Sequence, residues 1–220
     1  KKVILPEGLG EDEMDAQIES EASQYIPFAL EEVSIDYYVM GASATSVGDA
    51  DVMIVAARKD RVGDMQALMS EAGMHLKVLD VASYAAQSAA ERIIENLPNA
   101  GKDAIIALVH VGASSIYVYV MRNGEVLFER EQAFGGVQLT QHIARLYGMT
   151  QEEAESKKIA GQLPDDYAHV VLQPFIERVA QEIQNILQFF YNSTPHGKTD
   201  YVLLSGGSAS LPKLSDAVIQ

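Results

Sequence analysis

Leu108-Val109-His110-Val111-Gly112-Ala113-Ser114-Ser115 reads as an apolar strand that runs straight into a tight turn of Gly and small hydroxyl residues. Turns of this composition point several backbone N–H groups into one concavity, which suits an anion such as a phosphate. A second stretch, Leu204-Ser205-Gly206-Gly207-Ser208-Ala209, has the same form. Two such turns on one chain, separated by long helical patterns, point to a nucleotide held between a hairpin turn and a helix start. His110 complicates this reading, because it stands where a metal-handling carboxylate would be wanted.

Outward from that stretch the pattern alternates between strands and helices. Residues 104–109 are nearly all apolar, as a central strand requires. Residues 116–121 and 126–131 flank Asn123-Gly124, the strongest short-range hairpin signal. Phe134-Gly135-Gly136 breaks the sheet, and a helix is predicted over 137–147. Thr150 with Glu153 forms a capping box for the next helix. Pro164 and Pro174 bracket the start of a long helix whose apolar stripe is Phe175, Val179, Ile183, Ile186 and Phe190. Residues 201–204 read as one more buried strand, and Gly206-Gly207 turns it into a last helix with Leu211, Leu214 and Val218 inward.

Toward the N-terminus, residues 3–5 form a short strand. Met14, Ile18, Ala22 and Tyr25 recur at helical spacing until Pro27. Strands are predicted over 33–39 and 52–57. The second has no polar break and is expected to be buried on both faces. A helix over 60–72 is capped by Gly73. A strand over 75–81, an Ala-rich helix over 83–97 and a linker over 99–102 complete the chain. Alternating strands and helices mean α/β, and the adjacent hairpins make the sheets mixed rather than purely parallel.

The chain has 220 residues, room for one or two domains. It begins at Lys1 and reads as an internal piece of a longer protein. It holds no cysteine, which excludes disulfides, thiolate metal sites and Cys nucleophiles and fits a reducing compartment. A net charge of −15 argues against a nucleic-acid partner and against adsorption to anionic lipid. Between Lys2 and Arg58 there is no Lys, Arg or His, while carboxylates run from Glu7 to Asp51. That face is either a solvated acidic surface or a docking face for a basic partner segment.

No Gly-Lys-Ser/Thr ending follows either turn, so neither is a P-loop, and no G-x-G-x-x-G occurs. His75, His142, His169 and His196 show no metal spacing, and none pairs with a Ser or Asp for nucleophilic catalysis. Neither catalytic nor metal-ligating residues are expected. Tyr117 and Tyr119 alternate on a strand as surface or interface residues.

Several segments together carry a specific resemblance: residues 21–33 (Glu-Ala-Ser-Gln-Tyr-Ile-Pro-Phe-Ala-Leu-Glu-Glu-Val), 109–113, 134–140, 163–167, 187–190 and 204–207. The chain resembles the type IV pilus assembly protein PilM family of the actin-like ATPase superfamily, relatives of the division protein FtsA. The resemblance implies an actin-like ATPase fold fragment with mixed sheets, lacking the first phosphate-loop segment, plus a small inserted α/β domain. The inserted domain with its acidic face would span 1–73. Residues 74–101 would return to the first lobe and form a linker, and 102–220 would be the second lobe.

By that resemblance Gly112, Ala113, Ser114 and Ser115 form the second phosphate turn. Gly206, Gly207 and Ser208 form the adenosine loop, and Glu153 and Lys157 reach the ribose and base. Glu153 and Lys157 also read as an ordinary i,i+4 helix pair. The implied cofactor is ATP with Mg²⁺ in the full-length protein, and the piece itself is expected to bind ATP poorly. The family's Asp-x-Gly is His110-Val111-Gly112 here, which disfavours fast phosphoryl transfer. His110 is either a phosphate contact or a strand-end histidine bonded to backbone.

The function implied is a cytoplasmic scaffold of the type IV pilus machine and of twitching motility. It would be recruited to the inner membrane by the N-terminal peptide of a PilN-like protein and would meet other pilus machinery proteins, with homo-oligomerisation open. An active ATPase and an interaction module that binds no nucleotide are the competing classes.

Overall fold

A computed structural model describes residues 1–219. The chain divides into two compact units, Lys1–Ala82 and Ser83–Gln220.

The first unit is a three-stranded antiparallel sheet in the order β1 (Lys2–Pro6), β3 (Asp49–Arg58), β2 (Val33–Ala42). Helix α1 (Glu11–Tyr25) lies on one face and buries Met14, Ile18 and Ala22 against Val3, Leu5, Val52 and Ile54. Acidic Glu11, Asp12 and Glu13 occupy its first turn, where they suit the helix dipole. Tyr25 ends the apolar stripe but is 51% exposed, and Lys1 Nζ stands 4.9 Å from its ring centre.

Strand β3 is central, as its apolar run suggested, yet only Ala50, Val52 and Ile54 are buried. The expected two-sided burial does not occur, because α1 is on one face only. Helix α2 (Lys59–Glu71) touches β2 and β3 but buries none of its own residues. It ends in a Schellman turn: Met74 N–H donates to Met69 O at 2.8 Å and Gly73 N–H to Ser70 O at 3.0 Å. Residues 75–81 form no strand, contrary to expectation. No neighbouring edge pairs with them, and Val78 is 77% exposed.

The second unit is a mixed four-stranded sheet in the order β6 (Glu125–Gln132), β5 (Ile116–Arg122), β4 (Ile106–Val111), β7 (Tyr201–Ser205). β4 and β7 run parallel, whereas β4–β5 and β5–β6 are antiparallel. Asn123 and Gly124 both have positive φ, as the type I′ turn of the hairpin demands.

Helix α6 (Gln173–Ser193) covers one face, with Phe175, Val179, Ile183, Ile186 and Phe190 buried against Val109, Val111, Val118 and Val120. Each such side chain contributes about 1.5–3 kcal/mol through burial. Pro174 sits in the first turn of α6, where its missing N–H leaves no bond unmade. The helix also buries Glu182, which is tolerated because Arg178 Nη2 pairs with it at 2.6 Å. Helix α3 (Ala82–Ile94) packs Ala90 on the opposite face, over Ile106, Leu108, Tyr119 and Met121. β7 is an edge strand and only half-buried, short of the burial its composition suggested.

Candidate functional site

Because β4 and β7 are parallel neighbours, with His110 opposite Ser205, both glycine turns leave from the same end of the sheet. The open ends of adjacent parallel strands are where α/β proteins hold ligands. Gly112 N–H closes the first turn onto Ser115 O at 3.0 Å. Helix α4 (Gly136–Tyr147) starts against that turn. Gly136 N–H donates to Gly112 O at 3.0 Å and Val137 N–H to Ala113 O at 2.8 Å.

Ser208 Oγ bonds Gly112 O from the other side at 3.3 Å. Three glycine segments therefore meet backbone to backbone. A Cβ on Gly135 would stand 2.6 Å from Gly112 O, and one on Gly136 2.8 Å from Ser208 Oγ. The carbonyls of Gly112 and Ala113 face α4. Among the described residues the amides of Ala113 and Ser114 have no partner, and both residues are exposed.

His110 lies between the two turns. Its Nδ1 is 3.3 Å from Ser205 Oγ, and its ring is 6.5 Å from that of Tyr117. Ser115 Oγ donates to Glu131 Oε1 at 2.7 Å. Hydrogen bonds from Ser115 and then Tyr117 hold the Glu131 carboxyl below the usual carboxylate range.

A cleft of about 800 Å³ opens beside the turns, lined by Ala113, Gly136, Thr140, Glu155, Lys158, Gly207, Ser208 and Leu211 among others. That volume is within the range of small-molecule sites. On its wall Lys158 Nζ bonds Glu155 Oε2 at 2.6 Å and Thr140 Oγ1 at 2.9 Å. Thr140 Oγ1 is in turn 2.5 Å from Glu155 Oε2. Glu155 and Lys158 project from helix α5 (Gln151–Ala160), and Thr140 is buried on α4.

Gly207, Ser208 and Ala113 line the cleft, with Gly112, Ser114, Ser115 and Gly206 on the turns beside it. Glu153 and Lys157 do not line it. Glu153 is engaged in the capping box: Thr150 N–H donates to its Oε2 at 2.8 Å and its own N–H to Thr150 Oγ1 at 3.1 Å. Thr140, Glu155 and Lys158, which the sequence reading did not single out, do line the cleft. Their signal was present as an acid and a base three residues apart on one helix, but the pair chosen, at i,i+4, lies at a different phase.

Burial raises the Glu155 carboxyl, and the stronger combined pull of Lys158 and Thr140 holds it below its ordinary value. A carboxyl depressed in the folded state stabilises above its unfolded pKa of ~4.3 and loses that contribution as pH falls through the lower folded value. Glu155→Gln is therefore expected to unfold at a lower temperature than the unsubstituted chain at neutral pH. The gap should close in acid; a gap constant from neutral pH into acid would contradict this pairing. Both are read by thermal unfolding followed across pH.

The chemistry of this donor set fits phosphate. It does not fit the Mg²⁺ that accompanies ATP in the resembled family. A hard cation takes oxygen ligands. Position 110 supplies an imidazole, and Glu131 is bonded to Ser115 and Tyr117. Among the described residues no three His, Asp or Glu gather as a metal site.

The first unit offers a different surface. On the sheet face opposite α1, Ile4 and Tyr38 are 46% and 48% exposed, with Asp36 on the same face. Glu31 and Glu32 lie in a short 3-10 turn just before β2, and Lys59 Nζ donates to Glu31 O at 2.8 Å. No helix of the described residues is long and apolar enough to cross a membrane.

The profile of the type IV pilus assembly protein PilM family matches residues 1–220. Among solved structures, a PilM-PilN type IV pilus biogenesis complex is 24% identical with a TM-score of 0.71, over 99% of this chain and 63% of that one. The chain thus spans under two thirds of that relative's length. Ethanolamine utilization protein EutJ from Carboxydothermus hydrogenoformans is 16% identical with a TM-score of 0.50, over 93% of this chain and 90% of that one. Likeness at these identities concerns the fold alone, and the mixed α/β architecture expected from the sequence is what the structure has. With the family profile matched from the first residue to the last, the chain belongs to the type IV pilus assembly protein PilM family.

Proposed function

We propose that this chain is part of a nucleotide-held scaffold of the type IV pilus machine. ATP would sit in the cleft of the second unit, and a membrane partner would be captured by the first. The observation that carries this reading is the meeting of the 112–115, 135–137 and 206–208 segments beside a cleft of about 800 Å³ with unengaged amides at its rim. Phosphates would lie on the turns, with Gly112, Ala113, Ser114, Ser115, Gly206, Gly207 and Ser208 as their backbone cradle. The Glu155–Lys158–Thr140 wall offers the polar partners that a ribose needs. Glu153 and Lys157 would then act on the nucleoside only by shaping α5. Hydrolysis would be slow, because phosphoryl transfer needs a placed cation and an oriented water.

The partner would be the cytoplasmic N-terminal peptide of a PilN-like inner-membrane protein, which would bring the scaffold to the membrane surface. Two observations support that choice. A related chain was solved in a PilM-PilN complex. The first unit also pairs an acidic margin at Glu31 and Glu32 with an open face bearing Ile4 and Tyr38. Complementary charge of this kind speeds encounter and rejects wrong partners.

The test is capture of the partner peptide by the whole protein, with and without ATP. Reversal of both acids, Glu31→Lys with Glu32→Lys, is expected to weaken capture about tenfold or more. Undiminished capture by the reversed protein removes the acidic docking face. Capture indifferent to ATP removes the nucleotide-held scaffold.

A further inference from the structure

His110 is placed to touch whatever anion the two turns hold. Its ring runs between them: Nε2 is 3.5 Å from the Cβ position of Gly112, and Cε1 is 3.1 Å from that of Gly206. Both positions are glycine, so no side chain screens the ring from the turns. Nδ1 is engaged with Ser205 Oγ at 3.3 Å. Ser205 Oγ has one proton and two acceptors within reach, Nδ1 and Val109 O at 3.4 Å; where that proton goes to Nδ1, the ring carries its own on Nε2, on the side of Gly112. The amides of Ala113 and Ser114 are unengaged on the same turn. Donors therefore gather where an Asp would have gathered oxygens. Glu131, a carboxylate at the turn, accepts from Ser115 Oγ at 2.7 Å.

We infer that the cleft takes the nucleotide's phosphates directly on the His110 imidazole and the turn amides, without needing a divalent cation. This rests on the nucleotide reading given above. An imidazole N–H and two amides supply by hydrogen bonding what Mg²⁺ supplies by charge elsewhere. The arrangement keeps the phosphates bound and leaves the terminal one without the cation that would assist its departure. A scaffold that must stay closed on its ligand gains from that loss.

The experiment is equilibrium binding of ATP and of ADP to the whole protein, once in Mg²⁺ and once in EDTA, with His110→Asp and His110→Gln alongside. The unsubstituted protein is expected to bind ATP with the same Kd in both buffers. His110→Gln keeps a donor and should stay close to it. His110→Asp should bind about tenfold or more weakly in EDTA, the loss expected of a hydrogen bond to a charged group, and Mg²⁺ should restore it.

Binding that requires Mg²⁺ in the unsubstituted protein, with His110→Asp indistinguishable from it, overturns the inference and leaves the nucleotide reading standing. The same holds if the Mg²⁺-dependent binding is lost in Glu131→Gln, which would make Glu131 the cation's partner. Failure of both nucleotides to bind in either buffer overturns the nucleotide reading itself.

Discussion

Gly206→Ala is expected to destabilise the second unit by about 3 kcal/mol and to abolish nucleotide capture. Gly206 leaves β7 at φ 90° and ψ 163°, a conformation that residues with a Cβ rarely adopt. Its hydrogen also faces the backbone of the neighbouring strand. A methyl group there would stand 2.5 Å from Val111 O and 3.1 Å from His110 Cε1. Val111 O is backbone, so the turn itself must move, and the contact between the two glycine turns goes with it. Gly207→Ala is the control, since nothing lies within 4 Å of its Cβ position. Thermal unfolding and ATP binding of the two variants decide the matter. Equal behaviour would show that the turns are not locked together as described.

Phe190→Ala should cost more, about 3–5 kcal/mol, which for a unit of this size lowers the unfolding midpoint by about 10 °C or more. Phe190 is fully buried at the end of the α6 stripe. Its ring centre lies 5.6 Å from those of Phe128 and Tyr191 and 6.0 Å from that of His196. Truncation leaves a cavity that β6, the end of α6 and the loop after it would have to fill together. Phe189→Ala, one residue earlier, is the contrast. Phe189 is 50% exposed, with the Arg130 guanidinium 4.9 Å from its ring centre. It should cost under about 1 kcal/mol. If the two substitutions cost the same, α6 is not packed in the phase described.

Most elements were legible because their causes are local. The Asn123-Gly124 hairpin, the Thr150 box, the Gly73 stop and the α6 stripe each depend on residues a few positions apart, and all are present. The failures share a cause as well. Residues 75–81 have strand composition but no strand to pair with, and composition says nothing about a partner. β3 was expected to be covered on both faces from its apolar run, but cover depends on where α1 and α2 lie. On α5 the sequence offered several acid–base pairs, and only the helix phase relative to α4 makes Glu155 and Lys158, rather than Glu153 and Lys157, face the cleft.

By itself the sequence determined that two apolar strands end in small-residue turns, that position 110 is an imidazole, and that the chain is a PilM-family α/β protein. The first two follow from residue chemistry and short-range order along the chain, and the family from the likeness of whole segments to its members. The tertiary structure alone decided that the turns meet. Ser208 and Gly112 are 96 residues apart, and the parallel register of β4 and β7, with the start of α4 between them, brings them within hydrogen-bonding distance. Contact between distant segments is set by pairing and packing of whole elements, and no local pattern encodes which wall of a cleft a side chain will occupy.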